Sequence, residues 1–271
     1  MSAAPPPVAL TIAGSDPSGG AGIQADLKTF SALGAYGTAV ITALTAQNTQ
    51  GVTGVHLVPA DFVTEQLSTL VADVRIDAVK IGMLATAELA DAVAAFLLEH
   101  PHDVVVLDPV MVATSGDRLL ADDAVEAVRR MLPLASLVTP NLAEAAYLLG
   151  TEVAGDVAAM REQAERLLDA GARRVLLKGG HLADSTDCVD VFAGPEGVRQ
   201  LTAPRILTHN THGTGCTLSS AVAALRPQRP GWVDAVSDAK AWLTGAIAAA
   251  DGLRVGQGHG PVHHFHQIWG R

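Results

Sequence analysis

Short runs rich in β-branched residues recur along this chain, and amphipathic segments separate them. Five such runs occur, at residues 8–12, 78–81, 104–107, 137–139 and 175–178. Runs this short and this apolar are typical of strands buried on both faces of a sheet. Strands that alternate with helices build βαβ units, so the sequence predicts an α/β fold with a mainly parallel central sheet. Such sheets bind ligands beyond the carboxyl ends of their strands.

The helical segments carry start and stop signals. Apolar residues repeat at helical spacing from Ile23 to Leu33, and Gly34 is positioned to end that helix. Three further helices are predicted to begin at polar N-cap residues, namely Asp61, Thr86 and Asp156. Later helices are predicted over residues 216–225 and 232–251. Between residues 188 and 202, two strand-like runs flank a Gly-Pro-Glu-Gly turn, which predicts an antiparallel hairpin at the sheet edge.

Composition and charge narrow the range of partners. The chain has 271 residues, 49% of them apolar, with 18 basic and 28 acidic side chains that give a net charge of −10. A phosphate-backbone partner needs clustered Lys and Arg, so nucleic acid is not an expected partner. Residues 1–7 are predicted to form a flexible tail, and residues 8–271 a single domain, because no linker or repeat interrupts them.

Cysteine usage and hydropathy indicate a compartment. Cys188 and Cys216 are the two cysteines, and their spacing matches neither a disulfide framework nor a thiolate metal site. The N-terminus lacks the basic start and apolar run of a signal peptide, and no stretch stays apolar for about 20 residues, the length that a membrane span needs. We therefore expect a cytoplasmic protein that does not bind a membrane.

A Gly-rich segment at residues 14–22 follows the first predicted strand and opens a helix. Backbone N–H groups at such a position can hold an anion or a polar ligand. The segment is not a P-loop, because Gly20 and Ala21 stand where the Walker pattern needs Lys and then Ser or Thr. A tight turn that needs positive φ angles explains the glycines equally well.

A second Gly-rich segment, Gly213-Thr214-Gly215-Cys216, precedes a helical pattern of small residues. Several N–H groups and the positive end of that helix would converge on one point, which suits a transferring phosphoryl group. Cys216 is either a base or nucleophile with a lowered thiol pKa or a small buried apolar residue. A cysteine hydrolase with His212 as its base stays open at this stage.

Candidate metal and nucleotide contacts follow other predicted strands. Asp108 ends one run, Asn141 and Glu144 follow another, and Lys178 could meet a phosphate. Each of the first three could instead be a helix cap or a turn residue. The His-rich C-terminal end, residues 259–266, is not expected to bind a metal, because no Cys or carboxylate completes the set and Pro261 interrupts any helix.

Six segments together resemble one family, the bacterial hydroxymethylpyrimidine/phosphomethylpyrimidine kinases of thiamine biosynthesis. They keep the family's order, at residues 11–22, 47–48, 80–83, 108–111, 139–144 and 210–216. The resemblance implies a ribokinase-like fold, a three-layer α/β/α sandwich without a separate lid domain. It also implies ATP with Mg²⁺, a homodimer, and two successive phosphorylations of an aminopyrimidine. Cys216 matches this branch, whereas Asn210 stands where many relatives carry Asp.

The resemblance also carries roles onto individual residues. It implies that the catalytic residues are Gly213, Thr214, Gly215 and Cys216. It implies that the substrate-binding residues are Gly14, Asp26, Gln47, Met83 and Val110. Our hypothesis places Mg·ATP along one face of the site, with nucleotide contacts at Asn141, Lys178, Thr208 and Thr211 and metal ligands at Asp108 and Glu144. The chemistry agrees for Gln47, because a carboxamide can pair with both the amino group and the ring nitrogen of a 4-aminopyrimidine.

Four other functions remain alternatives. A pyridoxal-type kinase on the same fold is the nearest, since vitamin B6 also presents a hydroxymethyl group on a nitrogen heterocycle. A nucleotide-dependent dehydratase of the same superfamily, a hydrolase that uses Cys216 and a non-catalytic nucleotide-binding module belong to other classes. The pyrimidine kinase predicts ADP release that depends on hydroxymethylpyrimidine, the dehydratase predicts no phosphorylated product, and the binding module predicts ATP binding without turnover.

Overall fold

The computed structural model describes residues 5–111, 122–180, 182 and 186–269. The strands in these parts of the chain are β1 (Val8–Ala13), β2 (Tyr36–Ile41), β3 (Ala43–Asn48), β4 (Gly51–Leu57), β5 (Ala78–Ile81), β6 (Val105–Leu107), β7 (Leu137–Val138), β8 (Val175–Leu177), β9 (Asp187–Gly194) and β10 (Gly197–Pro204). The α-helices are α1 (Gly22–Ala32), α2 (Ala60–Val71), α3 (Ala87–Glu99), α4 (Asp122–Met131), α5 (Leu142–Leu149), α6 (Val157–Asp169), α7 (Thr214–Leu225) and α8 (Trp232–Ala248). Among the described residues, no helix is both long enough and apolar enough to cross a membrane.

Eight of these strands form one sheet in the order β10-β9-β8-β7-β6-β5-β1-β2. The pairs from β2 to β8 are parallel, and β9 and β10 add antiparallel strands at one edge. Strands β3 and β4 pair with each other as a separate two-stranded sheet. In the described chain they are the strands that lie outside the main sheet, so they form a hairpin rather than a lid domain.

Two apolar cores cover the two faces of the sheet. Side chains alternate along β1, so Leu10 and Ile12 contribute to one core while Ala9 contributes to the other. Helices α2 to α6 cover the first face, and α1, α7 and α8 cover the second. The molecule is therefore a three-layer α/β/α sandwich with a mainly parallel sheet, as the sequence predicted.

Most of the predicted elements are confirmed. The five β-branched runs form β1, β5, β6, β7 and β8, and the predicted hairpin is β9 and β10 at the sheet edge. The hydroxyl of Thr86 and the carboxylate of Asp156 cap α3 and α6 through the N–H groups of Leu89 and Ala159. Gly34, with φ of +76°, follows the end of α1.

One predicted cap is wrong. Helix α2 begins at Ala60, two residues earlier than an N-cap at Asp61 predicts, so Asp61 lies inside its first turn. Pro59 occupies the cap position, and its carbonyl accepts from the N–H of Val63. Pro has no N–H to leave unsatisfied there, and its fixed φ suits a helix entry. The carboxylate of Asp61 instead accepts from the N–H of Phe62.

The tail and the domain boundary stay predictions. Residues 1–4 of the predicted tail lie outside the described residues, whereas the carbonyl of Pro7 accepts from the N–H of Tyr36 at the start of β2. The last residue of that tail is thus tied to the sheet. His181, which follows Lys178, also lies outside the described part of the chain.

Candidate active site

A cavity of about 960 Å³ lies at the carboxyl edge of the main sheet. Its walls come from residues that directly follow β1, β5, β6, β7 and β8, together with the start of α7. All but one of the predicted site residues line it: Gly14, Gln47, Met83, Asp108, Val110, Asn141, Glu144, Lys178, Thr208, Thr211, Gly213, Thr214, Gly215 and Cys216. The structure thus gathers into one cavity residues that span more than 200 positions of the sequence, and their individual roles stay predictions.

The Gly-rich segment at residues 14–22 is a turn held together by Asp16. The carboxylate of Asp16 accepts from the N–H groups of Ser18, Gly20 and Ala21. Gly19 and Gly22 have φ of +79° and +56°, conformations that favour glycine. The turn explanation of these glycines therefore holds. These three N–H groups already have an acceptor, so the segment contributes mainly through Gly14 to Asp16 and Ala21 to Gly22 in the cavity wall.

His212 joins this segment to the second Gly-rich segment. Its Nε2 lies 2.7 Å from Oδ2 of Asp16, and both side chains are buried. Burial alone would raise the pKa of Asp16, but hydrogen bonds from His212 and Ser18 outweigh it and lower the pKa to about 2. The side chain of His212 therefore pairs with Asp16 and not with Cys216. The sequence suggested His212 only as a possible hydrolase base, because nothing in it shows that Asp16 lies nearby.

Helix α7 begins at the predicted phosphoryl site. Gly213 is its N-cap with φ of +76°, and a Cβ there would lie 1.7 Å from the carbonyl oxygen of Gly20. Only glycine fits this contact between the two segments. The first N–H groups of a helix have no acceptor within the helix, so those of Gly215 and Cys216 point beyond its N-terminus. Both residues line the cavity, and together with the helix dipole they can hold an anion.

Cys216 does not have the lowered thiol pKa that its position at a helix start suggested. Burial raises the pKa of this thiol to about 11. The ammonium of Lys80 acts in the opposite direction, whereas the carboxylates of Asp26 and Asp108 raise the pKa further. Of the two alternatives that the sequence left open, the raised pKa favours a small buried residue over a thiolate base or nucleophile.

Asp108, Glu144 and Lys178 form a second charged group in the cavity. Nζ of Lys178 lies 2.9 Å from Oδ1 of Asp108 and 3.9 Å from Oε2 of Glu144. Burial raises the pKa of Glu144 to about 7, although Lys178 lowers it. The pKa of Asp108 is lowered, because Lys178 and Lys80 outweigh the effect of burial. Two oxygen-bearing groups and one cation thus share a small volume below Gly215, where a Cβ would lie 3.2 Å from Nζ of Lys178.

The helix-cap explanation of Asn141 and Glu144 also holds. The side chain of Asn141 accepts from the N–H of Glu144, and the carboxylate of Glu144 accepts from the N–H of Asn141, which is a capping box at the start of α5. The two functions are compatible, because both side chains still line the cavity. The cap fixes the Glu144 carboxylate beside Lys178.

The donor set suits magnesium, although it is incomplete by itself. Carboxylate oxygens of Asp108 and Glu144 are hard ligands of the kind that Mg²⁺ prefers. Within the described residues, no group of three or more His, Cys, Asp or Glu side chains could hold a metal ion alone. A magnesium ion here would need water and phosphate oxygens to complete its coordination, as is usual where the ion enters with a nucleotide.

Asp26 is the one predicted site residue that does not line the cavity. Its side chain is fully buried, and both of its oxygens contact Nζ of Lys80, at 2.9 and 3.0 Å. The hydroxyls of Ser220 and Thr11 each donate to it at 2.6 Å. Its position therefore does not support the predicted contact with the amino group of the substrate. The sequence could not indicate this, because all three partners are distant in the chain.

Gly14, Met83 and Gln47 lie together in the wall of the cavity. A Cβ on Gly14 would lie 2.6 Å from Cε of Met83, so these two residues are in close contact. Gln47 lies on β3, where the pairing with β4 shifts register between Ala46 and Gln47. Such bulges re-aim side chains and are common beside active sites. The side-chain oxygen of Gln47 lies 3.2 Å from the hydroxyl oxygen of Thr45.

The other side of the cavity contains residues that the sequence did not single out. Nζ of Lys240 on α8 lies 2.6 Å from Oδ2 of Asp190 on β9. Leu243 and Ile247, also on α8, line the cavity wall as well. Thr208 donates its hydroxyl to Asp251 at 2.5 Å, and the amide of Asn210 donates to the same oxygen at 2.7 Å. An Asp at position 210 would lose this hydrogen bond and place a second carboxylate beside Asp251.

The chain matches a known protein family over most of its length. The family model of phosphomethylpyrimidine kinases matches residues 16–263. The chain belongs to that family. It is 58% identical over 262 residues to the hydroxymethylpyrimidine/phosphomethylpyrimidine kinase of Escherichia coli, with 96% of this chain and 98% of that protein covered.

Two further relatives extend the comparison. The chain is 51% identical over 257 residues to the thiamine biosynthesis bifunctional protein of Geobacter sulfurreducens, and the match covers 94% of this chain and 52% of that protein. The crystal structure of an ADP complex of Bacillus subtilis pyridoxal kinase superposes with a TM-score of 0.89 at 36% identity, covering 97% of this chain and 99% of that one. The ribokinase-like fold that the sequence implied is thereby confirmed, and the family is a kinase family.

Proposed function

We propose that this protein transfers the γ-phosphoryl group of ATP to 4-amino-5-hydroxymethyl-2-methylpyrimidine and then to its monophosphate, in thiamine biosynthesis. One observation carries the proposal. A single cavity joins Gln47, Gly14 and Met83 to the start of α7 and to the pair of Asp108 and Lys178. An acceptor site, an anion site and a charged site for phosphates are what a phosphoryl transfer between two small molecules needs.

The strand order of the sheet indicates which side of the cavity each of the two substrates would occupy. Gly14 and Met83 follow β1 and β5, which are neighbours, whereas Lys178 follows β8 and Asp190 lies on β9. The aminopyrimidine would lie on the β1 and β5 side and ATP on the β8 and β9 side. The N–H groups at the start of α7 would hold the γ-phosphoryl group between them, because α7 packs on β1, β5 and β6.

Lys178, Gly215 and Cys216 would act on the phosphoryl group. The ammonium of Lys178 would neutralise charge on the phosphate oxygens, and the N–H groups of Gly215 and Cys216 would stabilise charge that develops during transfer. Asp108 and Glu144 would hold a magnesium ion, which would supply further charge neutralisation to the ATP phosphates. Asn141, Thr208 and Thr211 line the same cavity and are proposed to contact the nucleotide.

Cys216 would orient the acceptor rather than act as a permanent thiolate. With a pKa of about 11, the thiol keeps its proton near neutral pH. Its sulfur can accept a weak hydrogen bond from the acceptor hydroxyl and direct an oxygen lone pair at the phosphorus. As the new O–P bond forms and the bond from the γ-phosphorus to the ADP oxygen breaks, the hydroxyl proton passes to an oxygen of the transferred phosphoryl group. Orientation by Cys216 therefore matters mainly for the first phosphorylation, whose acceptor is a neutral hydroxyl.

Gln47 would recognise the aminopyrimidine. Its carboxamide oxygen can accept from the 4-amino group while its NH₂ donates to the adjacent ring nitrogen. Met83 and Val110 would pack on the ring, since both line the same cavity as Gln47. A pyridine that lacks this amino and ring-nitrogen pattern would leave part of the carboxamide without partners, which costs binding energy.

The test measures ADP release with hydroxymethylpyrimidine, its monophosphate or pyridoxal as acceptor, together with product masses. We expect successive gains of one phosphate on the pyrimidine. A pyridoxal kinase is the second candidate, because the Bacillus subtilis pyridoxal kinase shares the fold over 97% of this chain. Turnover with pyridoxal alone would favour it and would refute the first proposal.

We also propose that the protein works in the cytoplasm as a homodimer. Both cysteines are free thiols in the structure, which agrees with a reducing compartment. Light scattering on the purified protein measures its molar mass and so tests the homodimer. A molar mass close to 27.9 kDa, that of one chain, would refute the dimer.

A further inference from the structure

The β3–β4 hairpin carries Gln47 outside the main sheet, so something else must fix its position. At its base, the hydroxyl of Thr45 donates to the carbonyl of Ser15 at 2.9 Å. At its tip, residues 48–51 form a turn in which the side chain of Asn48 accepts from the N–H groups of Gln50 and Gly51. A two-stranded hairpin alone is at best marginally stable in water. The contacts of the tip therefore matter for Gln47.

The tip is held by a Gly-rich strap, defined here as residues 256–260 near the C-terminus. The N–H of Gly258 donates to the hydroxyl of Thr49 at 3.1 Å. A Cβ on Gly258 would lie 2.1 Å from the carbonyl oxygen of Thr49, and one on Gly256 would lie 2.1 Å from its hydroxyl. Thr49 is buried although it lies in a hairpin turn. The strap and the tip are thus in closest backbone contact at Thr49.

The other end of the strap reaches the segment before α7. The N–H of His212 donates to the carbonyl of Gly260 at 3.0 Å, and His212 and Pro261 form a parallel β-bridge. A Cβ on Gly260 would lie 2.1 Å from the side-chain oxygen of Asn210. The side chain of His212 in turn contacts Asp16. One short strap therefore connects the tip beside Gln47 to the residue that immediately precedes Gly213.

We propose that Thr49 and His212 are positioning residues, linked through the strap, that hold the acceptor-binding hairpin in register with the phosphoryl-binding start of α7. The link runs from Thr49 to Gly258, along the strap to Gly260, and from there to His212. Transfer requires the acceptor oxygen and the phosphorus within about 3.5 Å, and small displacements are costly. The kinetic part of this inference rests on the proposed function.

The test compares Thr49→Val, which loses the hydroxyl at nearly the same volume, with Thr49→Ser, which keeps it. Hydrogen–deuterium exchange on the full chain without ligands follows residues 43–57 and 208–213. Loss of one such hydrogen bond shifts a local opening equilibrium about fivefold. We expect Thr49→Val to speed exchange by about that factor in both segments, and Thr49→Ser to change neither.

Kinetics give the second measurement. We expect Thr49→Val to raise the KM for the pyrimidine and lower kcat, each by about two- to tenfold. The KM for ATP should rise less than that for the pyrimidine. Thr208 and Thr211 lie next to the strap-bound segment, but the strap has no described contact with Asp108, Asn141 or Lys178. Gly258→Ala should act in the same direction and more strongly. Gly252→Ala is the matched control, because a Cβ there meets nothing within 4 Å.

The outcomes separate this inference from the proposed function. Faster exchange confined to residues 48–51, or equal effects of Thr49→Val and Thr49→Ser, would overturn the link. Equal rises in both KM values would also overturn it, since they would indicate general destabilisation. If the wild type failed to phosphorylate the pyrimidine, the proposed function would fall, and the exchange measurement would still decide whether the strap couples the two segments.

Discussion

Two lysine–aspartate pairs lie towards the carboxyl edge of the main sheet with similar separations between their charged atoms, yet their surroundings differ. In the sealed pair, Lys80 and Asp26 are 2.9 Å apart and both side chains are fully buried. In the open pair, Lys178 and Asp108 are also 2.9 Å apart, but the Lys178 side chain is 15% exposed in the cavity wall. The sealed aspartate has two further hydroxyl donors at 2.6 Å, from Thr11 and Ser220.

The difference separates a structural ion pair from one that is available to a ligand. Asp26 lies on α1 and its partners lie on β1, β5 and α7, so the sealed pair ties four elements together under the start of α7. Lys80 also borders the cavity, but its side chain has no exposed surface. The open pair has a third charged group, Glu144, and exposes Lys178 to the cavity. Desolvation is already complete at the sealed pair, whereas an incoming phosphate or metal ion can still change the electrostatics of the open pair.

The largest expected effect is on stability at the sealed pair. Asp26→Asn leaves the Lys80 ammonium buried without a counter-charge, which typically costs about 3–5 kcal/mol in the free energy of unfolding. Urea unfolding followed by circular dichroism measures it. The same substitution in the open pair, Asp108→Asn, should cost only about 1–2 kcal/mol, because Lys178 can rehydrate and still has Glu144 nearby. Equal losses for the two variants would abolish the distinction.

Activity should show the reverse order. Asp108→Asn is expected to lower kcat about 100-fold or more, because it removes a carboxylate ligand of the proposed magnesium ion while the protein stays folded. Steady-state ADP release with the pyrimidine measures this. Asp238→Asn is the control, since Asp238 forms an exposed pair with Arg229 on the surface. An Asp108→Asn enzyme within tenfold of the wild type would show that Asp108 is not a ligand of a catalytic magnesium ion.

The sequence alone predicted the parallel sheet and the positions of its carboxyl ends. Strands buried on both faces are short β-branched runs, and these runs can be recognised in the local sequence. It missed β2, β3 and β4. Strand β3 contains Ala46, Gln47 and Asn48, and β4 contains two glycines, residue types that are poor strand formers. Their conformation depends on tertiary contacts such as that of Thr45 with Ser15.

Placing Asp26 and Cys216 required the tertiary structure for the same reason. Whether Asp26 faces a ligand or a buried lysine depends on Lys80, which is 54 residues away in the chain. The helix start predicted a low thiol pKa for Cys216, but the depth of burial and the charges of Lys80 and Asp26 decide its direction. Local sequence shows the helix start and does not show either neighbour.

The reactivity of Cys216 tests whether Asp26 neutralises Lys80. In a Cys188→Ser background, a pKa of about 11 leaves on the order of 0.1% thiolate at pH 8. Alkylation by iodoacetamide should then be on the order of 100-fold slower than for a free thiol, and should rise about tenfold per pH unit from pH 8 to pH 10. Mass spectrometry measures the rate. A rate that levels off near pH 8 would mean that the thiol pKa is not raised. The positive charge of Lys80 would then lower the pKa of Cys216 more than burial and Asp26 raise it.

The smallest expected effect distinguishes the two phosphorylations. Cys216→Ala removes the sulfur that orients a neutral hydroxyl, so the first phosphorylation should slow about tenfold more than the second, whose acceptor is already an anion. Single-turnover product analysis with each acceptor measures the two rates. Cys216→Ser, which keeps a hydrogen-bonding group, should restore part of the first rate. Equal losses in both steps would show that Cys216 does not act on the acceptor hydroxyl. Its role would then be to shape the phosphoryl site that both acceptors share.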